Sequence, residues 1–168
     1  MPEPHLIHFL LVEDDDAHAE LVARNLDRDR LHNTLDRVAD GAAALDYLHR
    51  RAPYQDAKRP DVILLDLKLP KLSGHEVLAK IKAVPGLREI PVVVLTTSGA
   101  EADREKAYAL HANSYVEKPL DFGTFRTMVR DLSLYWGVIN APPPAKPDAN
   151  PDAGGDDPAP APGADGDA

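Results

Sequence analysis

Four clusters of polar residues each follow a short apolar run. Glu13, Asp14 and Asp15 follow Leu6–Val12, and Asp66 closes the run that begins at Val62. Thr96, Thr97 and Ser98 follow Val92–Leu95, and Glu117, Lys118 and Pro119 follow Ser114–Val116. Each cluster alone has an ordinary explanation. An acidic triplet after a strand is commonly a helix cap facing the dipole. An aspartate before a proline can be a turn residue, and a lone lysine is usually solvated. Together, two or three carboxylates, a hydroxyl and an amine suit one chemistry. Crowded carboxylates repel, and a hard divalent cation removes the conflict. Magnesium takes oxygen ligands, keeps waters and binds one or two carboxylates plus a phosphate. A lysine and a hydroxyl can hold the remaining phosphate oxygens. Such a site suits a phosphoryl group on or near Asp66, and a carboxylate nucleophile that forms an aspartyl phosphate is known chemistry.

The elements between these clusters must bring them together. Five apolar runs, Leu6–Val12, Thr34–Val38, Val62–Asp66, Val92–Leu95 and Ser114–Val116, alternate with amphipathic stretches. Val62–Leu65 is continuously apolar, as expected of a strand buried on both faces of a parallel sheet. The second run is mixed and the fifth short, which suits edge positions. Residues 16–29 place Ala19, Val22, Ala23 and Leu26 at helical spacing. Asp40-Gly41 opens a second helix with Ala44, Leu45 and Leu48 inward. Ser73 and Glu76 form a capping-box pattern ahead of Val77, Leu78 and Ile81, and Pro85-Gly86 ends that helix. Glu101–Leu110 makes a fourth helix. Asp121 caps a fifth, with Phe125, Val129 and Leu132 inward. Parallel strands need right-handed helical crossovers. The pattern is therefore α/β: a doubly wound five-stranded parallel sheet of the flavodoxin-like kind, order 2-1-3-4-5, which binds ligands outside the strands' carboxyl ends. A closed eight-fold barrel needs about 250 residues and is excluded by length.

Composition narrows the alternatives. The chain has 168 residues and a formal charge of −9. Residues 141–168 hold eight of the 16 prolines and six aspartates against one lysine, so they carry five of the nine net negative charges. That stretch lacks the apolar surface to offset ordering entropy and is expected to be a disordered tail, leaving one domain over 1–140. No basic nucleic-acid footprint is present. With no cysteine there is no thiolate metal site, disulfide or cysteine nucleophile. No apolar run is long enough to span a bilayer, and no signal peptide is visible, so a cytoplasmic location is expected. The seven histidines show no metal-ligand spacing on a shared helix face.

The residues at the strand ends resemble those of the receiver domains of two-component response regulators (CheY-like) over roughly residues 5–138. The resemblance rests on Leu10-Leu11-Val12-Glu13-Asp14-Asp15, Asp40-Gly41, Leu65-Asp66-Leu67-Lys68-Leu69-Pro70 with Gly74, Pro91-Val92-Val93-Val94-Leu95-Thr96-Thr97, and Tyr115-Val116-Glu117-Lys118-Pro119. It implies that Asp66 accepts the phosphoryl group. It implies that Glu13 and Asp14 organise Mg2+ with Asp66, Asp14 being the direct ligand of that acidic pair, and that the backbone carbonyl of Lys68 supplies a further ligand. Thr96 and Lys118 match the hydroxyl and amine that bind the phosphoryl oxygens, and Tyr115 matches the aromatic that turns inward with Thr96. The Lys118–Pro119 bond is expected to be cis by the same likeness.

Further stretches, from Leu69 to Leu78, Val94 to Ser98, Leu110 to Tyr115 and Leu134 to Trp136, resemble single-domain regulators paired with phytochrome-type sensor kinases. That implies a histidine kinase partner of the phytochrome type and a homodimer through the last strand and helix. Two departures stand out. Thr97 replaces a commonly small residue, and Lys68 lies two positions past the acceptor, where either could obstruct the hydrolytic water. No output domain is visible after residue 140, so signalling is expected by protein contact or as a phosphate relay or sink, with no nucleic-acid or membrane partner. Tyr135 and Trp136 suit either simple packing or a partner surface, and a partner surface is expected, since little chain follows to cover them.

Three rivals remain. An aspartate-nucleophile phosphohydrolase generally places a second aspartate where this chain has Lys68. A degenerate receiver acting by binding alone is opposed by the intact Asp14, Asp66, Thr96 and Lys118. A flavodoxin-like cofactor binder is opposed by three acids where a glycine-rich phosphate loop is needed.

Overall fold

The computed structural model describes residues 6–28 and 33–144. Strand and helix alternate five times: β1 (Ile7–Val12), α1 (Asp16–Arg28), β2 (Asn33–Val38), α2 (Gly41–Leu48), β3 (Val62–Leu65), α3 (Gly74–Ala83), β4 (Val92–Thr96), α4 (Glu101–Ala109), β5 (Ser114–Glu117) and α5 (Phe122–Leu134). A π-helical turn, Tyr135–Ile139, continues α5. The strands form one parallel sheet in the order β2-β1-β3-β4-β5. Topology and edge positions are those expected from the sequence. The segment 141–144 has no regular structure, and the rest of the expected tail, 145–168, lies outside the described residues.

Side chains on a strand point alternately to the two faces, and both faces here are covered. Leu10, Val12, Ile63, Leu65, Val92 and Val94 pack with α2 and α3 and with Ala107 of α4. Ile7, Phe9, Leu11, Val62, Leu64, Val93 and Leu95 pack with Ala19, Val22 and Leu26 of α1 and Phe125 and Val129 of α5. This two-sided burial is why the central runs are apolar at nearly every position, with His8 of β1 as an exception. Helix α4 buries only Ala107, so it is the most weakly anchored of the five. Among the described residues, no helix is long and apolar enough to cross a membrane.

Helix starts follow the caps seen in the sequence. Asp40 accepts from Ala43 N–H at 2.8 Å, and Asp121 accepts from Thr124 N–H at 2.9 Å. Ser73 and Glu76 close the capping box. Gly74 is required by close approach: a Cβ there would lie 2.2 Å from the Asp66 carbonyl oxygen and 2.6 Å from Leu67 Cα. Helix α3 thus begins directly against the loop that carries Asp66.

Two side-chain expectations are corrected. Ala23 is exposed, and Asn25 takes a buried place beside Leu26. Val22, Asn25 and Leu26 all turn inward, so the buried face of α1 extends past Val22 on the side away from Ala23. Trp136 is not a free partner surface. It is buried with Phe125 and Val129, because α5 continues as the π turn closed by Asn140 N–H on Tyr135 O at 2.6 Å. Tyr135 remains exposed.

Candidate functional site

The strand register delivers the functional residues to one rim. Val12 pairs with Leu65, so Glu13 and Asp66 are the next residues out on adjacent strands. The ladder continues past the strand ends: Glu13 N–H reaches Val38 O at 3.1 Å, Asp66 N–H reaches Val12 O at 3.0 Å, and Lys118 N–H reaches Thr96 O at 2.7 Å. These bonds fix the backbone of each residue before its side chain is considered.

Lys118 is the centre of the site. It is only 4% exposed, yet its ammonium is fully engaged. It donates to Asp66 Oδ2 at 3.1 Å, to Glu13 Oε2, and to His18 Nδ1 at 3.2 Å. Three partners use all three of its protons. Glu13 (1% exposed) and Asp66 (7%) are also buried. One ammonium therefore serves two buried carboxylates. Burial, helped by the charge of Asp66 and opposed by the Lys118 hydrogen bond, pushes the Glu13 carboxyl up to about 7.

Asp14 stands exposed at the mouth, and one carboxylate oxygen from each of Glu13, Asp14 and Asp66 falls within 4.8 Å of the others. Three carboxylates against one lysine leave excess negative charge on hard oxygen donors, a set that fits a magnesium-like cation. Lys68 sits on the bend after Asp66, its N–H 3.4 Å from Asp66 Oδ1 and its side chain exposed.

Thr96 is fully buried at the end of β4. Its Oγ1 accepts from Ser98 N–H at 3.2 Å. Tyr115 of β5 is half-buried, and its hydroxyl donates to the Ser98 carbonyl at 2.8 Å. Of the residues singled out by sequence, Glu13, Asp14, Asp66, Lys68, Thr96 and Lys118 thus lie at the carboxyl ends of β1, β3, β4 and β5, while Tyr115 lies within β5, opposite Val94. One expectation fails: among the described residues only Ala52–Pro53 is cis, so Lys118–Pro119 is trans, the isomer that an X–Pro bond intrinsically prefers.

Three features were not seen in the sequence. His18 completes the Lys118 shell. A signal for it existed: Asp15 caps α1, its Oδ1 accepting His18 N–H at 3.0 Å. That cap places His18 in the first turn, directly above the strand end. Arg37 of β2 donates to Glu13 O at 3.0 Å and pairs with Asp16 at 2.8 Å, bracing the acidic loop from the sheet edge. Ser98 joins Thr96 to Tyr115.

Comparison with known proteins agrees with this geometry. Residues 9–130 match the response regulator receiver domain family. The chain is 46% identical over 144 residues to the probable methanogenesis regulatory protein FilR2 of Methanothrix harundinacea, covering 85% of this chain and 91% of that one. It is 43% identical over 127 residues to response regulator Rcp1 of Synechocystis, covering 76% and 86%. The crystal structure of the phosphorylated cyanobacterial phytochrome response regulator RcpA superposes with a TM-score of 0.80 at 39% identity, covering 83% of this chain and 99% of that chain. The Mn(2+)-bound form of Rcp1 superposes with a TM-score of 0.79 at 41% identity, covering 82% and 99%. A flavodoxin-like sheet with an acidic rim, and this degree of likeness across most of the chain, lead to one assignment: the protein belongs to the response regulator receiver domain family.

Proposed function

We propose that the chain accepts a phosphoryl group on Asp66 from a phosphohistidine of a sensor kinase and signals by protein contact. The observation that carries this is Lys118: it is buried and bonded to both Asp66 and Glu13, with Asp14 at the open side and Thr96 on the neighbouring strand. Asp66 attacks phosphorus, the new O–P bond forms as the N–P bond breaks, and the imidazole leaves. Lys118 and Thr96 then hold phosphoryl oxygens. Glu13, Asp14 and Asp66, with the Lys68 carbonyl, would hold Mg2+, which when bound supplies charge neutralisation for the equatorial phosphoryl oxygens. The same groups assist hydrolysis, in which water attacks phosphorus and Asp66 is released. Thr96 and Tyr115 carry the switch, an equilibrium that phosphorylation shifts.

Likeness to Rcp1 and RcpA supports a phytochrome-type kinase as the donor. Likeness to FilR2 favours a second reading, in which the same chemistry serves a kinase that senses something other than light. A homodimer through β5 and α5 is supported by the exposed Leu134, Tyr135, Val138 and Ile139, beside a groove of about 570 Å3 that includes Val116, Met128 and Leu132. Phosphotransfer from a labelled histidine kinase to the wild type, and none to Asp66→Asn, is the expected result. Transfer of equal label to both proteins would refute the site. Light-dependent transfer from a phytochrome kinase separates the two donors, and sedimentation tests the dimer.

A further inference from the structure

His18 touches the reacting centre without belonging to its acidic cluster. Its Nδ1 lies 3.2 Å from Lys118 Nζ. An ammonium only donates, so Nδ1 accepts and the ring proton sits on Nε2. The same Nδ1 is 4.0 Å from Glu13 Oε1, too far for a hydrogen bond. Lys118 is therefore the group in the site that His18 serves.

Two helices hold the imidazole in place. Asp15, ahead of α1, fixes its backbone by accepting His18 N–H at 3.0 Å. Phe125 of α5, itself buried, faces the ring, with centroids 6.2 Å apart and planes inclined by 23°. The ring thus ties α1 to α5 beside Lys118, and its orientation is set before it meets the ammonium.

The three bonds of Lys118 differ in what phosphorylation does to them. Asp66 is the group that reacts, so its carboxylate is used up as the O–P bond forms. Glu13 belongs to the carboxylate cluster that would hold Mg2+. His18 does neither, so its bond to Lys118 is the one that need not change. An ammonium anchored by Glu13 alone can rotate about that bond. A second anchor fixes the rotation and leaves the remaining N–H with one direction, toward Asp66. We propose that His18 is a positioning residue for Lys118: by accepting one proton through Nδ1, it keeps another N–H aimed at the phosphoryl group on Asp66. This rests on the phosphoacceptor role of Asp66. Without His18 the resting protein still has Asp66 as the second anchor, whereas the phosphorylated protein has lost it. The cost of removing His18 therefore falls on the phosphorylated state.

The test separates the nitrogen from the ring. His18→Phe keeps an aromatic ring against Phe125 and removes the acceptor. His18→Asn removes the ring and puts its Oδ1 where Nδ1 stood. Affinity for beryllium fluoride, a phosphoryl mimic, is measured by calorimetry on the full chain with Mg2+ present. His18→Phe should bind about tenfold more weakly than the wild type, equivalent to about 1.4 kcal/mol, near the low end for one hydrogen bond to a charged group. His18→Asn should stay close to the wild type, and phosphorylation by acetyl phosphate should rank the three proteins in the same order. Packing alone predicts the reverse, with His18→Asn the weaker binder. Binding by His18→Phe as tight as that of His18→Asn, or tighter, overturns the proposal and leaves Asp66 its role. No binding by the wild type overturns both. A readout without metal or mimic stands beside these: 15N spectra of the wild type in chelator at pH 8 should show the His18 proton on Nε2. A proton on Nδ1 overturns the proposal even if neither variant folds.

Discussion

Glu13→Gln should stabilise the metal-free protein at alkaline pH, although it removes a member of a buried ion pair. The Glu13 carboxyl rises from 4.5 to about 7 in the folded state, chiefly through burial. At about 1.4 kcal/mol per pH unit this is worth on the order of a few kcal/mol. A raised carboxyl means that the folded state binds the proton more tightly than the unfolded state. The favourable term is therefore fully present below pH 4.5 and is lost as pH rises through 7. Above that, the ionised Glu13 is a cost. Glutamine keeps an oxygen for Lys118 to donate to and leaves one buried carboxylate for one ammonium. With chelator present at pH 8, Glu13→Gln should melt several degrees above the wild type, since about 1 kcal/mol shifts a domain of this size by roughly 3–5 °C. At pH 4.5 the two should nearly coincide. Added Mg2+ should raise the wild type far more than the variant and close the gap. The assay is thermal unfolding by circular dichroism across pH with chelator or Mg2+. A variant that is less stable than the wild type at pH 8 by the same margin as at pH 4.5 would refute the claim that buried like charges dominate this site.

Other expectations concern the mouth of the site and the far end of the sheet. Mg2+ should raise the melting temperature by binding the folded state, and Asp14→Ala, which removes the exposed carboxylate of the cluster, should abolish most of that gain in a calorimetric scan. Lys68→Ala should shorten the phosphorylated lifetime about threefold, because an exposed ammonium beside the acceptor contributes under about 1 kcal/mol; an unchanged decay of label would remove Lys68 from the hydrolytic step. His8 is buried in β1, its ring bonded to Thr34 Oγ1 at 2.7 Å and the Tyr47 hydroxyl at 2.8 Å. Burial lowers its protonation range below 6.5 despite the nearby Asp36 and Asp61 and in concert with Lys58. The unfolded chain then takes up the proton first, so the His8 contribution to stability, opposite in sign to that of Glu13, should fall as pH drops below 6.5, and His8→Gln should remove that contribution in urea titrations between pH 7.5 and 5.5.

What the sequence made legible follows from strong local physics. Continuous apolar runs at Val62–Leu65 and Val92–Leu95 are hard to read as anything but strands buried on both faces, and the polar residue ending each run marks the rim. Asp40, Ser73 and Asp121 mark helix starts because their side chains satisfy backbone donors that no helix can satisfy itself. What stayed hidden depends on geometry between elements. His18 reads as an ordinary helical residue until the Asp15 cap sets it above Lys118. Ser98 reads as a strand-end hydroxyl until the turn directs its backbone to Thr96 and Tyr115 and its hydroxyl to Asp103. Trp136 reads as uncovered because the π turn that buries it leaves no pattern in Tyr135–Ile139. Within the acidic triplet, the ordinary explanation holds for Asp15, a helix cap, while Glu13 and Asp14 join the cluster.

The central claim is that Asp66 accepts the phosphoryl group. Intact mass after incubation with acetyl phosphate and Mg2+, for the wild type and Asp66→Asn, tests it most directly. A gain of one phosphoryl group by the wild type alone is the expected result. The same gain in Asp66→Asn, or none in a wild type shown to bind Mg2+, would contradict it.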